Sequence, residues 1–309
     1  MRSDRPAELI IGSVQLGLAY GAANRTGKPD RQAALRLVRR AADAGVGGFD
    51  TARAYGDSEE RLGEALTGRP IRTITKLSPL SELAADASPE MIVAAVDGSI
   101  AKSLAALKRE RLDCVLLHRA VHLTAYNGAV WKRLEHHLAN GTVNALGVSV
   151  QSPAEALQAL AHSNVRHMQL AFNMLDWRWA EADVITAIRN NRSITVHARS
   201  VFLQGILASS DASVWPRVDG VDPPELIEWL NQCVGTFGRQ TVADLCLAYV
   251  RGQDWIDGVV IGMETEEQLE TNLALSTRLP LALADCATIE ACRPRVPEQL
   301  LDPSRWPPR

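Results

Sequence analysis

The 309-residue chain has little of what would assign it to a specialised class. Its five cysteines, Cys114, Cys233, Cys246, Cys286 and Cys292, form no CxxC pair and accompany no histidine pair at zinc-finger spacing. A disulfide scaffold and a zinc module are thereby excluded, and no metal site is expected. So sparse and odd a set of thiols suits a reducing compartment, and the expected location is the cytoplasm. No apolar run reaches the ~18 residues of a membrane span, and residues 1–12 hold no apolar stretch of signal-peptide length. Neither sign of charge dominates: 33 Lys and Arg against 36 Asp and Glu leave a net −3, giving no electrostatic case for nucleic acid or an anionic membrane as partner. Aromatic residues are only 5%, too few to suggest a pocket walled for polycyclic compounds. No GxGxxG follows the first apolar run, which argues against a doubly wound dinucleotide-binding sheet. Repeats, linkers and low-complexity segments are absent too, so one domain over 1–309 is expected.

What is present is an alternation. Short apolar runs at 9–16, 45–51, 71–76, 112–118, 145–150, 166–173, 194–199 and 258–262 read as strands buried on both faces, hence parallel. Amphipathic segments at 30–44, 88–107, 128–140, 153–162 and 223–237 read as helices between them, with Asp30 and Ser88 as N-caps and Gly45 and Gly141 at C-terminal caps. Eight strand–helix units in this length predict an α/β fold, a single-domain (β/α)8 TIM barrel. Two segments exceed what a barrel needs, 202–224 and the tail from 277. Both are expected as long elements on the catalytic face.

Catalytic groups of a barrel sit at the C-terminal ends of its strands. There the sequence offers Asp50 and the following Tyr55, Lys76, His118, Ser149, Gln169, Asn173 and Arg199. A lysine at the end of a buried strand needs a carboxylate, and Asp50 on the neighbouring strand is its natural partner. An ammonium beside a phenol favours the phenolate, which suits Tyr55 to exchange a proton with a carbonyl oxygen. No side chain supplies a hydride, so a reduction needs a bound cofactor.

The stretch 48–66, GFDTARAYGDSEERLGEAL, resembles the signature of the aldo-keto reductases. The resemblance continues through ITKL, LLHRA, LGVSV, QLAFNMLD and VVIGMETEEQLETNLAL, from about residue 9 to 275. It implies a (β/α)8 barrel that reduces an aldehyde, ketone or sugar carbonyl, or oxidises the alcohol, with Tyr55 as general acid/base. Asp50 and Lys76 would tune it and His118 would orient the substrate. It further implies a nicotinamide dinucleotide across the barrel mouth, with Ser149 and Gln169 on the carboxamide, Gly262 beside the phosphates, and Gln268 and Asn272 toward the adenosine.

Three departures from the family pattern stand out. Val150 replaces an asparagine. Arg199 takes a position that often carries an aromatic ring on the nicotinamide; cofactor stacking, an anionic substrate group and a strand-end ion pair are all open to it. Carboxylates crowd 264–270, where NADPH-specific relatives carry Ser, Lys or Arg. The family favours NADPH and this loop favours NADH; NADPH is the expected cofactor, with NADH as the alternative. The expected partner is a small carbonyl substrate, with Arg25, Arg53 and Arg199 hinting at a polar or anionic one. Two other readings compete: a Schiff-base lyase or aldolase using Lys76, and a non-catalytic nicotinamide-sensing subunit.

Overall fold

Eight parallel strands close into a barrel in chain order: β1 (Glu8–Gly12), β2 (Gly48–Asp50), β3 (Thr73–Lys76), β4 (Cys114–Leu117), β5 (Leu146–Val150), β6 (His167–Ala171), β7 (Thr195–Arg199) and β8 (Gly258–Gly262), with β8 pairing back onto β1. This computed structural model describes residues 6–191 and 193–307. The expected span of 1–309 and the reading of residues 1–12 therefore extend in part outside the described residues. The helices are α1 (Val14–Gly17), α2 (Arg31–Asp43), α3 (Ser58–Ala65), α4 (Pro89–Leu107), α5 (Ala129–Ala139), α6 (Pro153–Leu160), α7 (Arg178–Glu181), α8 (Val184–Asn190), α9 (Pro223–Thr236), α10 (Val242–Arg251), α11 (Glu266–Thr277), α12 (Leu283–Cys292) and α13 (Glu298–Leu301). Among the described residues, no helix is long and apolar enough to cross a membrane.

Helix starts follow local chemistry. Asp30 accepts from Ala33 N, and Ser88 from Met91 N with Pro89 at the first turn; Ser152 and Thr265 cap α6 and α11 in the same way. Gly45 and Gly141 lie just past the ends of α2 and α5 with φ of +76° and +78°, where a glycine carries no steric penalty. Apolar residues of strands and helices share one large buried cluster between the layers. A second, smaller cluster (Ile10, Ile74, Cys114 and Leu116) is contributed by β1, β3 and β4.

Two expectations change. The first strand ends at Gly12 and not at residue 16: Ser13 N bonds to Asp50 O, and the chain then turns through α1. The tail from 277 folds into α12 and α13 and a closing 3-10 turn, Pro303–Arg305. Pro303 and Ser304 reach the cavity at the barrel mouth.

Candidate active site

The loop after β2 is fixed by polar groups that are themselves buried. A chain of hydroxyls runs from Thr51 through Ser58 to Ser13 and ends on the carbonyl of Asp50. Glu59, only 1% exposed, accepts from Thr75 Oγ1 at 2.6 Å and pairs with Arg53. These bonds tie the loop to β1 and β3, and so to the strands that carry the neighbouring site residues. Close backbone contact does the rest. A Cβ on Gly17 would stand 1.8 Å from the carbonyl oxygen of Tyr55, and one on Gly56, whose φ is +57°, 2.4 Å from the carbonyl oxygen of Gly17.

Tyr55 is thereby held over a buried ion pair. Lys76 Nζ donates to Asp50 Oδ1 at 2.6 Å and to Thr51 O at 3.0 Å, and lies 5.1 Å from the centre of the Tyr55 ring. Burial alone would weaken the ammonium, but the charge and hydrogen bond of Asp50, with help from Tyr55, hold its pKa above the usual lysine value. The imidazole of His118 meets the Tyr55 ring edge-on, centroids 5.8 Å apart. Burial first, then the charges of Lys76, Arg199 and Arg119, push its pKa down to about 3. His118 is therefore neutral near pH 7, and its Nδ1 is buried without a partner.

Asp50, Tyr55 and His118 line a cavity of about 1080 Å³ that runs along the mouth of the barrel to Glu264, Gln268 and Asn272. Such a volume exceeds the usual range of about 300–1,000 Å³ for sites that hold a single drug-sized molecule. Ser149, Arg199 and Gly262 are also on its wall. Gln169 is fully buried beneath; its Nε2 donates to Asp50 Oδ2 at 2.7 Å, while its Oε1 has no partner. Gln268 Oε1 accepts from Glu264 N and closes the loop after β8, whereas Asn272, 7% exposed, faces the cavity. Gly262 leaves room for Gln15, whose side chain a Cβ there would meet at 2.1 Å. The unused acceptors Gln169 Oε1 and Gln15 Oε1 and the inward-facing Asn272 fit an elongated ligand rich in amide and hydroxyl groups.

The profile of the Aldo/keto reductase family matches residues 8–294. The chain belongs to the aldo/keto reductase family. Membership makes it an oxidoreductase of carbonyl and CH–OH groups and makes its cofactor a nicotinamide dinucleotide. Among curated relatives, a 6-dehydroglucose reductase of Novosphingobium aromaticivorans is 35% identical over 129 residues; the match spans 38% of this chain and 41% of that protein. An L-glyceraldehyde 3-phosphate reductase of Escherichia coli is 24% identical over 290 residues, covering 82% of each. The solved structure of aldo-keto reductase AKR11C1 from Bacillus halodurans, in its holo form, superposes with a TM-score of 0.76 at 22% identity over 96% of both chains. At that identity the likeness carries the fold alone.

Asp50, Tyr55, Lys76 and His118 thus come together as expected from their strand ends. Arg25 and Arg53 do not join them as free cations: Arg25 pairs with Asp211 and Arg53 with Glu59 and Glu60. Of the crowded carboxylates after β8, Glu266 and Glu270 are engaged by Arg36 and Arg40 of α2, leaving Glu264 and Glu267 on the cavity wall. Sequence reasoning missed the positioning roles of Ser13, Gly17, Ser58 and Glu59. The last two lie within the recognised 48–66 stretch, and a carboxylate and a hydroxyl on the first turn of a helix facing a strand were the available signal.

Proposed function

We propose that the protein uses NAD(P)H to reduce the carbonyl of a small polar substrate, with Tyr55 as the general acid, and acts in the cytoplasm. The observation that carries this reading is the placing of the Tyr55 phenol on the cavity wall above the Lys76–Asp50 pair. The bound nicotinamide supplies the hydride that the protein lacks. A side chain on the wall delivers the proton. His118 is neutral and has no imidazolium proton to give, and Lys76 is held in its charged form by Asp50. Of the two phenols on the wall, Tyr20 and Tyr55, only Tyr55 stands beside Lys76, whose ammonium stabilises the phenolate left behind. His118, a neutral hydrogen-bonding group beside Tyr55, orients the carbonyl oxygen.

For the cofactor, the orphaned Gln169 Oε1 and nearby Ser149 are assigned to the carboxamide, Gly262 to the phosphates, and Gln268 and Asn272 to the adenosine end. Arg199 belongs with the cofactor set. NADPH is carried by the family, while Glu264 and Glu267 on the wall oppose a 2′-phosphate and keep NADH as the alternative. Tyr20, Asn24, Gln204 and Ser209 give the substrate end polar groups, which suits a sugar or sugar-like carbonyl compound, as the names of both curated relatives do. The five cysteines, all unpaired, support the cytoplasmic assignment. The Schiff-base reading loses its support: Lys76 is 1% exposed, committed to Asp50, and held in the charged state that cannot attack a carbonyl.

Tyr55→Phe tests the proposal. Turnover should fall by at least about 10²-fold, the low end of general acid catalysis, with NAD(P)H affinity nearly unchanged. Retained turnover would exclude Tyr55 as the acid.

A further inference from the structure

The cavity wall carries an arginine whose charge is not neutralised. Arg199, at the end of β7, donates through Nη1 to Ser200 Oγ at 3.3 Å and through Nη2 to Val150 O at 3.4 Å and to Gln151 Oε1. All three acceptors are neutral, and among the described residues Arg199 makes no ion pair. It is also held rather than free to swing away. Gln151 Nε2 donates to Asp302 Oδ1 at 3.0 Å, and Gln151 N to Glu155 Oε2 at 2.6 Å, so the end of β5 and the folded tail fix its partner.

At this end of the cavity Arg199 has no carboxylate bonded to it directly. Asp50 and Lys76 cancel, and His118 is neutral. Arg199 bears electrostatically on both Lys76 and His118, lowering the proton affinity of each. Arg119 adds a second positive charge on the wall. Two carboxylates stand one residue removed from Arg199, Glu155 on Gln151 N and Asp302 on Gln151 Nε2, and neither pairs with the guanidinium directly; Glu264 and Glu267 lie beyond β8.

A carbonyl reduced near Tyr55 must receive its hydride near Tyr55, so on the function proposed above the nicotinamide ring would occupy this end of the cavity. The balanced reaction converts a carbonyl, NAD(P)H and a proton into an alcohol and NAD(P)+. One C–H bond breaks on the dihydronicotinamide, one forms on the carbonyl carbon, and the phenolic proton goes to its oxygen. The ring begins neutral and ends as a pyridinium cation. A fixed guanidinium tolerates the first and repels the second.

We propose that the Arg199 guanidinium makes the site bind reduced nicotinamide more tightly than oxidised, so that it loads NAD(P)H and releases NAD(P)+. This inference rests on the function proposed above and concerns the exchange of cofactor, because the charge that favours the reduced form also makes it give up its hydride less readily. Arg199 acts here through its charge beside the ring. Any pull it exerts on the cofactor phosphates is the same in both redox states and cancels in the ratio of their affinities.

The test measures Kd for the oxidised and reduced cofactor by calorimetry and nicotinamide fluorescence, without substrate, in the wild type, Arg199→Gln and Arg199→Lys. The wild type should bind the reduced form at least about tenfold more tightly than the oxidised one. Arg199→Gln should shrink that preference about tenfold or more, equal to about 30 mV in the midpoint potential of the bound couple. Arg199→Lys, which keeps the charge, should retain most of it. Both forms binding the wild type with a ratio unmoved by Arg199→Gln would overturn this inference and leave the proposed function intact. Failure of the wild type to bind either form would overturn the proposed function, and this inference with it.

Discussion

Asp50→Asn removes one charge from the site and almost nothing of its shape. The substituted side chain still offers Lys76 Nζ an oxygen. Its new amide can be received by Gln169 Oε1, the acceptor that has no partner now, once the Gln169 amide turns over. What the variant lacks is the countercharge for an ammonium that is 1% exposed. Removing one member of a buried ion pair costs about 3–5 kcal/mol, because the other charge stays behind uncompensated. For a chain of this size each kcal/mol moves Tm by roughly 2 °C, so the variant should melt about 6–10 °C lower at pH 7. The pH dependence separates this cause from a packing defect. In the wild type the lysine pKa is raised above its ordinary 10.5, so the pair's stabilisation is present below that value and is lost as pH rises through the folded pKa. In the variant the buried ammonium is disfavoured, and its penalty fades as the lysine deprotonates. The gap in Tm between the two proteins should therefore be widest near pH 7 and narrow toward pH 10. Thermal melts followed by circular dichroism at pH 7 and 9.5 read both quantities. A loss under 2 °C at pH 7, or a gap that does not change with pH, would refute the reasoning.

Three other predictions follow from groups outside that pair. Inside the barrel, His167 and His197 pack edge-to-face at 4.2 Å, with burial as the main cause holding His167 down to about 3 and His197 well below its ordinary value. Both fold as neutral rings, so stability should be intact above about pH 6.5 and fall below it, by up to about 4 kcal/mol at pH 5 for the two together; urea unfolding at pH 7 and 5 checks this, and equal stabilities would contradict it. Replacing Glu264 and Glu267 together by Gln should strengthen NADPH binding relative to NADH by about tenfold, and an unchanged ratio of the two Kd values would show that neither carboxylate faces the 2′ position. Gly17→Ala should lower kcat at least about tenfold by displacing Tyr55, whose carbonyl a Cβ would meet at 1.8 Å, with less than about threefold change in NAD(P)H affinity; wild-type kcat would mean that the loop moves without consequence.

The barrel was legible because its strands are short, largely buried apolar runs and helices such as α2 and α5 bury one face; α10, buried continuously from Asp244 to Val250, shows no such period and was not singled out. Strand ends were less so. Residues 9–16 read as one apolar run, yet Ser13 leaves the sheet because its N–H and hydroxyl both bond to the Asp50 carbonyl, a partner 37 positions away. The same limit governs the site. Asp50, Tyr55, Lys76 and His118 could be nominated from their places at strand ends, since the closed sheet brings such ends together whatever the helices do. Which arginines remain free could not be nominated that way. Arg25, Arg53 and Arg199 look alike in sequence, and only the fold gives the first two their carboxylates, Asp211 from the long segment after β7 and Glu59 from the first turn of α3. The third is left with a glutamine that the tail secures through Asp302. A short-range pattern can show that a residue sits at the mouth of the barrel; its net charge there depends on partners up to 186 positions distant. In this chain that long-range bookkeeping is what separates two structural arginines from the one cation of the three free to act on a ligand.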